Sequence, residues 1–94
     1  MIRIVKMTFQ NDKVEDFLEI FNEIYTEIKN FDGVISLKLH RQINQPNVLF
    51  TVSEWESPEK LENYRNSDLF KRTWAKTKVL FADKPEAWSL EEIH

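Results

Sequence analysis

Val48-Leu49-Phe50-Thr51-Val52-Ser53-Glu54-Trp55-Glu56 decides the fold, because its alternation leaves no polar side. Val48, Phe50 and Val52 fall on one face, and Leu49, Thr51, Ser53 and Trp55 on the other, so this strand needs cover on both. Upstream, Val34 to Ile43 sets Ile35, Leu37 and Leu39 against Ser36, Lys38 and His40 with the same period of two. Asn44-Gln45-Pro46-Asn47 supplies turn residues between them, so the pair reads as a hairpin. Downstream, Ser57-Pro58-Glu59 has the cap and first-turn proline of a helix start, and Ser67-Asp68 restarts the helix after a break near Asn66. Leu69, Phe70, Thr73, Trp74, Thr77 and Leu80 continue its inward stripe.

On the amino-terminal side, Ile2 to Phe9 reads as a strand with Ile2 and Ile4 on one face and Val5, Met7 and Phe9 on the other. A long amphipathic helix follows, since Val14, Phe17, Leu18, Phe21, Ile24, Tyr25 and Ile28 recur at three- and four-residue steps, with Asn11 or Asp12 as its expected cap. Gly33, the only glycine, ends it after Asp32. After Asp83-Lys84-Pro85, Glu86 to Ile93 reads as a weaker last strand carrying Trp88 and Leu90. The order β-α-β-β-α-β defines a ferredoxin-like α+β fold: a four-stranded antiparallel sheet with helices on one face, in a single domain over residues 1–94. The other sheet face is left to a second copy, so a homodimer is expected.

Composition agrees with a small globular domain. Apolar residues are 41% and charged residues 31% of 94, and with no cysteine there is neither a disulfide framework nor a thiolate metal site to reinforce so short a chain. The strand-like start lacks the basic and apolar regions of a signal peptide, and no window is long and apolar enough to span a membrane, which points to the cytoplasm. A net charge of −3 with scattered acids and bases offers no stripe for nucleic acid. Aromatic residues at 13% are the excess, suited to packing or to lining a pocket for a flat ligand.

The run from Val52-Ser53-Glu54-Trp55-Glu56-Ser57-Pro58-Glu59 to Asn63-Tyr64-Arg65-Asn66-Ser67-Asp68-Leu69-Phe70 resembles the signature segment of the antibiotic biosynthesis monooxygenase family, and Phe31-Asp32-Gly33-Val34 is similar to that family's helix-to-strand turn. The resemblance implies a dimeric α+β barrel in which two sheets pack face to face, with a cavity between each sheet and its own helices. It also implies an activity: members include cofactor-independent oxygenases of quinol-like aromatics and haem-degrading enzymes, beside proteins of no known activity. Trp55 matches the tryptophan that lines the pocket of the oxygenases acting on aromatic polyketides, whereas Thr51 and Leu61 replace their asparagine and tyrosine. Met7, Tyr64 and Trp74 stand where the haem-degrading members have asparagine, tryptophan and the iron-ligating histidine, which argues against haem degradation.

The candidate ligand-binding residues are therefore Trp55, Thr51, Ser53, Tyr64, Trp74 and His40. Trp55 either fills the core or floors a pocket, and the hydroxyls of Thr51 and Ser53 on an inward face need partners. Tyr64 and Trp74 would roof the same space, with Phe17 or Phe21 as further walls. His40 is the one histidine within regular structure, so a proton-transfer role near neutral pH starts there, but its polar-face position favours a solvent-exposed or dimer-interface histidine over a catalytic base. Arg41 has two readings, an oxyanion holder or a surface ion pair. The acidic cluster Glu54, Glu56, Glu59 and Glu62 reads as a solvated helix start with no metal, and no flavin or nicotinamide fingerprint is present, so no cofactor is expected. The expected function is oxygenation of a small aromatic or quinol-like molecule; the alternative is a non-catalytic dimeric ligand-binding or structural module.

Overall fold

The computed structural model describes residues Met1–His94. Strands β1 (Ile2–Thr8), β2 (Val34–Gln42), β3 (Gln45–Trp55) and β4 (Glu86–Leu90) form one antiparallel sheet in the order β2-β3-β1-β4, with helices α1 (Val14–Lys29), α2 (Pro58–Arg65) and α3 (Asp68–Lys78) on one face. This is the ferredoxin-like βαββαβ arrangement, with the second helix broken in two. The break has the expected chemistry: Ser57 caps α2 by accepting from the Lys60 amide at 3.2 Å, and Ser67 caps α3 by accepting from the Phe70 amide at 3.1 Å. No helix is long and apolar enough to cross a membrane.

Register fixes which side chains face the helices. Arg3 pairs with Ser53 and Ser89, and Val5 with Thr51 and Ala87, so these rows share the inner face with Leu37, Leu39, Leu49 and Met7. Two core clusters lie there. Met7, Phe9, Val14, Phe17 and Leu49 fill one end, and Ile28, Leu37, Trp55, Leu61 and Tyr64 the other. On the outer face, Ile4, Val52 and Trp88 form one row, and Ile2 and Leu90 stand in the next. Trp88 and Leu90 are 44% and 48% exposed, an apolar surface with nothing in the chain to cover it.

Three local expectations are corrected. Neither Asn11 nor Asp12 caps α1; a single 3-10 turn over Asn11–Lys13 leads into the helix, and no side chain bonds to its first amides. The hairpin turn is shorter than the sequence suggested, since Gln42 pairs with Gln45 and only Ile43 and Asn44 lie between the strands. Pro46 is tolerated within β3 because β1, whose register ends at the Thr8–Val48 pair, does not reach it. Finally, β4 stops at Leu90, leaving residues 91–94 without regular structure.

Gly33 has φ +95°, the left-handed region expected where α1 gives way to β2. A Cβ there would also run into the side-chain stem of Lys60, whose ammonium reaches Asp32 at 2.6 Å. Its carbonyl accepts from the Glu56 amide at 2.8 Å, tying the start of β2 to the exit of β3.

Candidate functional site

The inner sheet face and the three helices enclose a cavity of about 330 Å³. Val5, Met7 and Leu37 from the sheet and Phe17, Phe21, Ile24 and Ile28 from α1 give it a predominantly apolar lining. Arg65, Glu86 and Ala87 both line it and are exposed, so it opens to solvent between the end of α2 and β4.

Trp55, at the end of β3, is held at both backbone and ring. Its amide donates to the Met1 carbonyl and its carbonyl accepts from the Met1 amino group, each at 2.8 Å. Its indole N–H donates to Ser53 Oγ at 2.9 Å, and the Ser53 hydroxyl has the Arg3 carbonyl 3.4 Å away. Both side chains are buried, so the bond removes a donor that would otherwise be stranded in apolar surroundings. Trp55 therefore packs the core and walls the cavity at once.

Tyr64 packs against Trp55 with ring centroids 5.3 Å apart, and Phe31 and Phe70 stand edge-on to it at 5.3 and 5.2 Å. Phe70 stacks on Trp74, and the series continues through Phe81, Phe9, Phe17 and Phe21 to Tyr25. Every aromatic ring except Phe50 and Trp88 belongs to this chain, which wraps the cavity from the strand end to α1. Burial pushes the Tyr64 phenol up to about 12, because the charged phenolate is poorly solvated there. Tyr64 stays a neutral hydrogen-bond donor at physiological pH.

Thr51 and Tyr64 both line the cavity, and no buried polar side-chain atom is left without a partner. Thr73 lines it too, and two further lining hydroxyls are already engaged: Ser53 Oγ accepts from the Trp55 indole, and Thr77 Oγ1 donates to the Thr73 carbonyl at 2.8 Å.

Of the residues expected from sequence, Thr51, Ser53, Trp55, Tyr64 and Trp74 all converge on this cavity, with Phe17 and Phe21 as its walls. His40 does not. It pairs with Phe50 on the outer sheet face and is exposed, because strand alternation aims it away from the helices. His40 is thus corrected from ligand contact to outer-face residue. Arg41 is exposed near the hairpin turn and also lies off the cavity.

Among the lining residues not anticipated from the sequence are two guanidinium groups, Arg3 and Arg65. Arg3 projects from β1 onto the inner face, and its Nη1 donates to Ser89 Oγ at 2.9 Å. Its guanidinium holds its proton less tightly than usual, chiefly through burial and then through repulsion by Arg65, with Glu62 acting in the opposite sense. Arg65 itself reaches Glu62 at 3.2 Å. The signal for Arg3 lay in the alternation, since a residue between Ile2 and Ile4 must share a face with Val5 and Met7.

Fold and cavity together define a ferredoxin-like domain that encloses a ligand-sized, aromatic-walled space between its sheet and helices. Residues 1–76 match the family described as antibiotic biosynthesis monooxygenase, and the chain belongs to that family. A solved structure described as an antibiotic biosynthesis monooxygenase superposes with a TM-score of 0.90 at 10% identity, each chain covered over 100% of its length. A conserved protein from Methanosarcina mazei Go1 superposes with a TM-score of 0.85 at 23% identity, covering 92% of this chain and 86% of that one. By sequence, the chain is 30% identical over 78 residues to the "Putative heme-binding protein" of Natronomonas pharaonis, covering 83% of this chain and 13% of that much longer relative.

Proposed function

We propose that the domain binds a small, flat, electron-rich aromatic of the quinol class in this cavity and oxygenates it with dioxygen, without metal or flavin. The observation that carries the proposal is the aromatic-walled cavity itself, whose volume falls at the low end of the roughly 300–1,000 Å³ usual for small-molecule sites and whose lining includes the hydroxyls of Thr51, Tyr64 and Thr73. In the proposed reaction a ring C–H of the quinol becomes C–OH while its two hydroxyls become carbonyls, giving a hydroxyquinone. One oxygen atom of O₂ enters the ring, the other leaves as water, and the substrate supplies all the electrons, so no external reductant is needed. Tyr64, held protonated, donates to the substrate oxygen on which negative charge develops; Trp55 and Phe70 hold the ring plane.

A non-catalytic binding module is the second reading, and one observation favours it. The titratable residues lining the cavity are Arg3, Arg65, Tyr64 and Glu86; no histidine is among them, and the one carboxylate, Glu86, pairs with Lys6 on the outer sheet face at 3.8 Å. Haem, suggested by the name of the Natronomonas relative, does not suit the donor set. No histidine lines the cavity, and the Tyr64 phenol is held in its neutral form, which opposes iron ligation.

The apolar outer face supports a homodimer formed by two such sheets, with Ile4, Val52, Phe50 and Trp88 of each copy at its centre. Oxygen consumption with polyhydroxy-aromatics separates oxygenase from binding module: uptake supports the first, and saturable binding without uptake the second.

A further inference from the structure

We infer that the cavity selects anions: its ligand is an aromatic acid whose carboxylate is held by Arg3 and Arg65 while its ring lies among the apolar walls. This deepens the small-aromatic reading and rests on it.

The Arg3 guanidinium stands half-buried on the inner sheet face, lining the cavity. Its one hydrogen bond, to Ser89 Oγ at 2.9 Å, is to a neutral acceptor, and no carboxylate lies within ion-pair distance of it. The nearby acids are occupied elsewhere: Glu62 by Arg65 at 3.2 Å, and Glu86 by Lys6 at 3.8 Å. A second guanidinium, Arg65, lines the same cavity close enough to repel Arg3. Two like charges beside an apolar space, one of them partly desolvated and offset only at a distance by the Glu62 that Arg65 already engages, are stabilised when something negative completes the site. The Ser89 bond also orients the Arg3 fork in advance, leaving its other N–H groups for a planar carboxylate. The competing explanation is that Arg3 simply lays its aliphatic stem over the sheet. That role would affect charged and neutral ligands alike.

The test uses two probes of matched shape, 2-naphthoate and 2-naphthamide, titrated calorimetrically into the full chain and its variants at neutral pH. Naphthoate should bind at least about ten-fold more tightly than the amide, the usual worth of a charge-assisted hydrogen bond at such a site. Arg3→Gln should weaken naphthoate more than the amide and so shrink that preference several-fold, with Arg65 retaining the remainder. Ser89→Ala, on an exposed strand and safe for folding, should weaken naphthoate alone by several-fold, and so serves if Arg3→Gln does not fold. Equal affinity of the two probes for the wild-type protein, or a preference undiminished by both substitutions, overturns the inference while the cavity reading stands. Binding of neither probe overturns both.

Discussion

Ser53→Ala is a minimal perturbation of the site with a calculable effect. The substitution removes one oxygen and almost no volume, yet it takes away the acceptor of the Trp55 indole N–H, 2.9 Å away in a buried setting. A buried donor left unsatisfied costs about 1–3 kcal/mol. Against the roughly 5–15 kcal/mol that holds a small domain together, this is a large fraction. It corresponds to a fall in Tm of at least about 4 °C for a chain of this size. Urea denaturation at fixed protein concentration measures it, with Trp55→Phe as the second arm of a double-mutant cycle. Phenylalanine has no N–H to strand, so Ser53→Ala in the Trp55→Phe background should cost almost nothing. Equal costs in the two backgrounds would refute the claim that Ser53 serves the indole.

Two further outcomes are expected. The Tyr64 phenol, shifted from 10.0 to about 12, keeps its proton in the folded state over a pH range where the unfolded chain loses it, so stability should fall as pH rises from about 10 to 12 by about 2–3 kcal/mol; urea midpoints of wild type and Tyr64→Phe across that range test this, and parallel curves would contradict it. Phe50→Lys places a charge at the centre of the outer sheet face and should convert a dimer to monomer or aggregate by light scattering, an unchanged soluble dimer showing that the copies meet elsewhere.

The fold was legible because each element announces itself locally. The two apolar faces of β3 placed it in the sheet interior, and Ser57 and Ser67 marked both helix starts. Alternation also sorted Thr51, Ser53 and Trp55 onto the cavity side. What escaped was set by tertiary packing. Whether Thr51 and Tyr64 meet open space or a filled core depends on how far α1 and α3 stand from the sheet, and sequence periodicity carries no such distance. Arg3 escaped for a different reason: a charged residue in an apolar strand is read as outward by habit, although its register with Ser53 and Ser89 turns it inward. The Asn11 and Asp12 cap failed because a 3-10 turn already satisfies the local backbone, with the Lys13 amide bonded to the Gln10 carbonyl at 2.9 Å.

The central claim is that this cavity oxygenates an aromatic without metal or flavin, and oxygen uptake tests it most directly. Purified protein is given a panel of hydroquinones and hydroxylated aromatic acids, with and without a chelator, beside Tyr64→Phe. The account predicts uptake that is indifferent to chelation and falls at least about ten-fold when the phenol is removed. No uptake above the uncatalysed background with any member of the panel, from protein that binds those same compounds, would contradict it and leave a binding module in its place.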